Sequence, residues 1–198
     1  MNTQNNTVVK LAETALLAAL CYVSFTFLQI KIPVPGGDAT SIHIGNAFCV
    51  LAALLLGGVY GGLSGAIGMG IADIMDPVYI TGAPKTFVLK FCIGLIVGLV
   101  AKKWKFGIAP AIITGVALSF ICPAIGTPIG IYVYGGLNGS VSDMLVMSLV
   151  QGGKTIFQAS FLRNVASNLI DKIGTCVIGY LLIKAMPMRF MDNFKKEA

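Results

Sequence analysis

The chain has 198 residues, 56% of them hydrophobic and 11% charged, with a mean hydropathy of +0.86. Soluble domains carry about a quarter charged residues, so this composition cannot cover a water-facing surface and argues against a soluble globular protein. The net charge of +6 does not point to nucleic acid, because the Lys and Arg residues gather at the ends of apolar segments, where they orient a membrane protein. One integral membrane domain, residues 1–198, is the economical reading.

Six apolar segments are predicted as membrane helices: 11–30, 43–56, 58–74, 84–101, 106–134 and 155–185. The first follows a polar leader and Lys10, exceeds the length of a signal core, and is read as a retained helix. Lys31-Ile32-Pro33-Val34-Pro35-Gly36-Gly37-Asp38 follows; its prolines stiffen the chain and its glycines permit a tight turn. That suits a lid or an ordinary connection. His43, the only histidine, opens the second segment, and Asn46 lies one turn on. Gly58, Gly62, Ala66 and Gly70 in the third segment, and Gly94 and Gly98 in the fourth, form small-residue ridges that let helix backbones approach closely.

Asp73 and Asp76 lie one helical step apart near the end of the third segment, able to steer a ligand, cap a loop or pair with Lys90. Lys90 sits well below Pro84 in the fourth, deep enough to point into a cavity and shallow enough to snorkel outward. Pro123 and Pro128 are expected to kink the fifth segment. An amphipathic stretch, 141–150, precedes the sixth.

The sixth segment carries a polar ladder: Ser160, Arg163, Asn164, Ser167, Asn168, Asp171 and Thr175 recur at three- and four-residue steps and share one helical face. Ionisable groups are costly in hydrocarbon and normally face a protein interior or a watery cavity. A solute pocket inside a helical bundle is therefore expected. Arg163 offers several donors, Asn164 and Asn168 offer donors and acceptors to a heterocycle edge, and Asp171 can accept from a ligand or neutralise a cation. An internal ion pair with polar helix glue is the structural alternative.

Other signals are weaker. Gly153-Lys154-Thr155 resembles the end of a nucleotide-binding loop, but Ser148 stands where the first glycine belongs and no strand precedes it. The five cysteines lie in apolar segments without paired spacing and read as small packing residues, so neither metal nor cofactor is expected. Lys10, Lys102, Lys103, Lys105, Lys184, Arg189, Lys195 and Lys196 fall on one side if six segments cross, which predicts cytoplasmic termini and long outer connections.

Ile42-His43-Ile44-Gly45-Asn46 with Leu51–Gly57, Gly65-Ala66-Ile67-Gly68 with Ala72-Asp73, and Ala83-Pro84-Lys85-Thr86 with Lys90 together resemble the S component of an energy-coupling factor (ECF) vitamin transporter, of the riboflavin type. The resemblance covers nearly the whole chain in layout. It implies an all-α integral membrane protein with a six-transmembrane-helix bundle, no catalytic residues, and a vitamin pocket near the outer face. Lys90, Asn164 and Asn168, with Arg163, map to its polar contacts. Ser167, His43, Asn46, Asp73 and Asp171 complete the candidate set. Ala15 and Ala19 match the pattern that faces the coupling subunit in the family. The implied partners are a transmembrane coupling protein and two ATPase subunits in a prokaryotic cell membrane. Riboflavin is the favoured solute because the family is named for it, with pyrimidine thiamin precursors and pyridoxine-like compounds as alternatives. The rival functions are a self-sufficient ion-coupled carrier, a membrane-embedded enzyme, for which one His and no HExxH or GxSxG are a poor endowment, and a scaffold subunit.

Overall fold

The computed structural model describes residues 3–33, 39–77, 79–137 and 143–186, with side chains described for 7–28, 44–77, 79–137 and 143–186. In chain order they form α1 (Thr3–Phe27), β1 (Gln29–Pro33), β2 (Ala39–His43), α2 (Ile44–Leu56), α3 (Gly58–Met75), a 3-10 turn (Ile80–Gly82), α4 (Ala83–Lys103), α5 (Ile108–Tyr134), α6 (Asp143–Gln151) and α7 (Ile156–Ala185). Six of these helices match the six predicted segments to within a few residues at most ends; the amphipathic 141–150 stretch supplies the additional helix, α6.

Two expectations are corrected. The first apolar segment does not run on to Ile30: α1 stops at Phe27, and Gln29–Pro33 pairs antiparallel with Ala39–His43, Gln29 opposite His43 and Pro33 opposite Ala39. The described residues are therefore helical with one antiparallel pair of strands. Residues 34–38, part of the Lys31–Asp38 segment read as a lid or an ordinary connection, lie outside the described residues. Second, among the described residues four helices are long and apolar enough to cross a membrane: those within 7–27, 80–103, 108–134 and 156–185. At 13 residues, α2 extends only about 20 Å at 1.5 Å per residue, short of a hydrocarbon core about 30 Å thick. The 18-residue α3 is diluted by glycine.

Local chemistry sets the helix ends. Pro84 enters α4 in its first turn, where its missing N–H is no loss, and Lys102 and Lys103 close the same helix against its negative pole. Thr155 caps α7: its hydroxyl accepts from the Gln158 N–H at 3.2 Å, while the Gln158 side chain accepts from the Thr155 N–H at 3.2 Å. The Gly153-Lys154-Thr155 triplet is thus a turn and a cap, with Gly153 at φ +89 ending α6.

Small residues set the packing. A Cβ on Gly94 would collide with the backbone of Gly62, and one on Gly98 with the backbone of Gly58, so α3 and α4 meet backbone to backbone along both predicted ridges. The α5–α7 pair is the other close contact; α2 sits between the two groups, touching α1, α3, α4 and α7, and β2 lies against α7. Cys21, Val50, Leu54, Met69, Ile93, Leu118 and Cys176 fill the core. Leu16, Val59, Leu99 and Ile113 are more than half exposed, as expected where lipid replaces water as the solvent. All five cysteines are free thiols, four of them buried. Lys10, the α2–α3 turn and Lys102 share one end of the bundle; Tyr22, Asp76 and Thr86 share the other.

Candidate functional site

At the end away from Lys10 and Lys102, α1, α3 and α4 part around a cavity of about 730 Å³. Tyr22, Phe25 and Thr26 line it from α1, Ala72, Asp73 and Met75 from α3, Asp76, Pro77 and Tyr79 from the connection, and Thr86 and Lys90 from α4. Its size lies in the range of small-molecule sites, and its make-up, aromatic walls with a few converging polar groups, is the usual one. Asp73 is buried on one wall, which Thr86 also lines.

Lys90 is buried at the cavity's inner limit. Its Nζ donates to Asn46 Oδ1 at 2.6 Å and sits 5.7 Å from the centre of the Phe25 ring. Asn46 is fully buried and passes the contact on: its Nδ2 donates to the Asp171 carboxylate at 3.3 and 3.4 Å. Lys172 Nζ donates to the same carboxylate, and the Thr175 hydroxyl lies 3.5 Å from it. A chain of polar groups thus runs from the cavity on α4, through α2, to the deep part of the α7 ladder. An ammonium carries three donors, so Lys90 can hold Asn46 and still offer a proton to an acceptor in the cavity. Asp73 offers the complementary acceptor.

The outer part of the ladder is organised differently. Arg163 Nη1 donates to Asp143 of α6 at 2.6 Å, and both side chains are close to fully buried. Arg163 also reaches Asn164 Oδ1 through Nε and Nη2 at 3.4 and 3.2 Å. Asn164 Nδ2 donates to the Thr127 hydroxyl of α5 at 3.0 Å, and the Ser160 hydroxyl donates to the Gly136 carbonyl at 3.1 Å. Asn168 turns back on its own helix, donating to the Asn164 carbonyl at 2.8 Å, while Ser119 donates to the Asn168 carbonyl at 3.1 Å. The space beside Arg163 and Asn164, bounded also by Lys85 and Thr127, is about 10 Å³, no more than one water.

The structure therefore divides the predicted set. Lys90 and Asp73 face the open cavity; Asn46 and Asp171 stand behind Lys90. Arg163 and Asn164 line the nearly filled space between α5 and α7. Ser167 and Asn168 are half-buried on α7 and line neither. His43 ends β2, and its side chain lies outside the described residues. Ala15 and Ala19 are exposed on α1 beside an apolar groove of about 480 Å³ shared with α3. Sequence reasoning missed Tyr22, Phe25, Tyr79 and Thr86; interfacial aromatic residues are ordinary in membrane helices and gave no separate signal.

A family model described as ECF-type riboflavin transporter, S component, matches residues 5–187. A protein of Pyrococcus woesei, described as an uncharacterized protein in gap 3′ region, is 30% identical over 122 residues, covering 61% of this chain and 78% of the relative. No solved structure matches the chain significantly. Apolar helices, a polar interior and a match spanning nearly the whole sequence agree: the chain belongs to the ECF-type riboflavin transporter S-component family, the substrate-binding, non-enzymatic membrane subunits of such transporters.

Proposed function

We propose that this protein captures a vitamin or related planar heterocycle from outside the cell, riboflavin being the favoured solute, and hands it to an ATP-driven module. The observation that carries this reading is the buried Lys90 amine at the inner limit of an aromatic-lined cavity, with Asp73 on its wall. A donor and an acceptor at separate edges suit a ring with both carbonyl and N–H groups. Lys90 and Asp73 touch the solute directly; Asn46 and Asp171 position Lys90. Arg163, Asn164, Ser167 and Asn168 support the site from α7, because the hydrogen bonds of Arg163, Asn164 and Asn168 are directed within the protein.

The cavity opens externally. Lys10, Lys102, Lys103 and Lys105 belong to the opposite end, and basic residues mark the cytoplasmic side. Six crossings, with a thin α2 completed by its neighbours, place both termini in the cytoplasm of a prokaryotic cell. The exposed α1 face bearing Ala15 and Ala19 is the docking surface for a transmembrane coupling protein, which in turn carries two ATPase subunits. Small exposed residues beside an apolar groove suit a contact that must form and separate within lipid.

Purification of the chain alone, followed by mass spectrometry and visible absorption of co-purifying small molecules, tests the reading. A bound heterocycle is expected, and a flavin spectrum would identify riboflavin. Protein that carries no small molecule and binds neither riboflavin nor a pyrimidine or pyridoxine-like compound contradicts it. Vesicle uptake by this chain alone, driven by an ion gradient, contradicts the ATP-dependent part.

A further inference from the structure

At the end opposite the solute cavity, a cleft of about 330 Å³ opens between α1, the α2–α3 turn and α4. Lys10 of α1 and Lys102 of α4 both line it. The remaining wall is mostly hydrocarbon, including Leu56, Leu95 and Leu99, and Leu99 is 65% exposed toward the surroundings of the bundle. The backbone of Gly58 and Val59 adds to it: Gly57 at φ +84 turns the chain so that α3 starts here without any side-chain cap.

Two larger surface grooves, of about 480 Å³ between α1 and α3 and about 530 Å³ between α3 and α4, are not lined by a charged side chain. Two lysines on a leucine-walled cleft therefore set this one apart. It has the two-part chemistry of a phospholipid: a site for negative charge at the level of the headgroups and an apolar track for an acyl chain. Trp104, half-exposed beside Lys103 at 5.9 Å, marks the same end as the membrane–water boundary.

We infer that this cleft binds the phosphate headgroup of an anionic phospholipid of the inner leaflet, between Lys10 and Lys102, with an acyl chain along Leu56, Leu95 and Leu99. The inference rests on the membrane orientation proposed above, but not on the identity of the solute. A lipid seated here would bridge α1, the α2–α3 turn and α4 at their inner ends.

Native mass spectrometry of the full chain supplied with phosphatidylglycerol or phosphatidylcholine tests it, comparing wild type, the Lys10→Gln/Lys102→Gln double variant and the Lys10→Arg/Lys102→Arg double variant. Wild type and the arginine variant should retain phosphatidylglycerol in preference to phosphatidylcholine. With basic residues near a membrane surface worth about 1 kcal/mol each, the glutamine variant should hold phosphatidylglycerol roughly tenfold or more weakly. Lys102→Gln alone should give an intermediate loss and guards against failure of the double variant to fold. Equal retention of phosphatidylglycerol by wild type and the glutamine variant would overturn the inference. So would equal retention of phosphatidylcholine, or inorganic phosphate displacing the bound lipid. Solute binding measured on the same samples should be unchanged in the glutamine variant, so failure of the solute site and failure of the lipid site are read separately.

Discussion

The cavity over Lys90 and the cluster around Arg163 are made from the same kinds of side chain, a buried cation, a carboxylate and an amide, yet only one leaves bonding capacity facing open space. Arg163 is held by Asp143, Asn164 by Thr127, and the space between them is closed to about 10 Å³. Lys90 has Asn46 behind it and 730 Å³ in front of it. Polar groups at bilayer depth must be satisfied somehow, and the two regions differ in how: the Arg163 cluster is closed by partners within the protein, whereas Lys90 keeps open space on one side. Depth and polarity alone do not distinguish them; unspent donors beside a cavity do.

Substitutions can break this contrast. The largest effect is expected from Arg163→Ala, which removes the cation of the buried Arg163–Asp143 ion pair. Losing one member of a buried ion pair costs about 3–5 kcal/mol, so denaturant unfolding in detergent should show a loss of that order. A stability loss within error would mean that the pair is solvated and the cluster is not the structural one described.

Next in size, Lys90→Ala should weaken solute binding by about 1–3 kcal/mol, the usual cost of leaving a buried ligand group without its hydrogen-bond partner. Calorimetric titration with the co-purified solute reads this directly. An unchanged affinity would remove Lys90 from the site. The smallest effect belongs to Asn164→Ala. Deleting its bond to Thr127 should lower stability by about 0.5–1.5 kcal/mol and leave solute affinity within error. A large affinity loss there, with stability intact, would move the solute to the α7 wall.

The sequence exposes some of this architecture and hides the rest for physical reasons. Hydrophobic runs located six of the helices because lipid demands continuous apolar length. The glycine ridges foretold the backbone contacts of Gly62 with Gly94 and Gly58 with Gly98. The hairpin was hidden because Ile30 and Ile32 extend the apolar run of α1, so hydropathy sees no break where the helix stops. Lys90 and Asp73 stood out as ionisable residues in apolar segments. The ladder on α7 was visible as a face, but its partners were not: Asp143 lies 20 residues from Arg163 and Thr127 lies 37 from Asn164, and no periodicity within one helix reports what a second helix supplies.

A structure of the protein with its solute bound tests the central claim most directly. The account predicts the ring between α1, α3 and α4, with Lys90 Nζ and the Asp73 carboxylate within hydrogen-bonding distance and Arg163 still paired with Asp143. A solute seated between α5 and α7 against Asn164 and Arg163, with the space over Lys90 left empty, would contradict it.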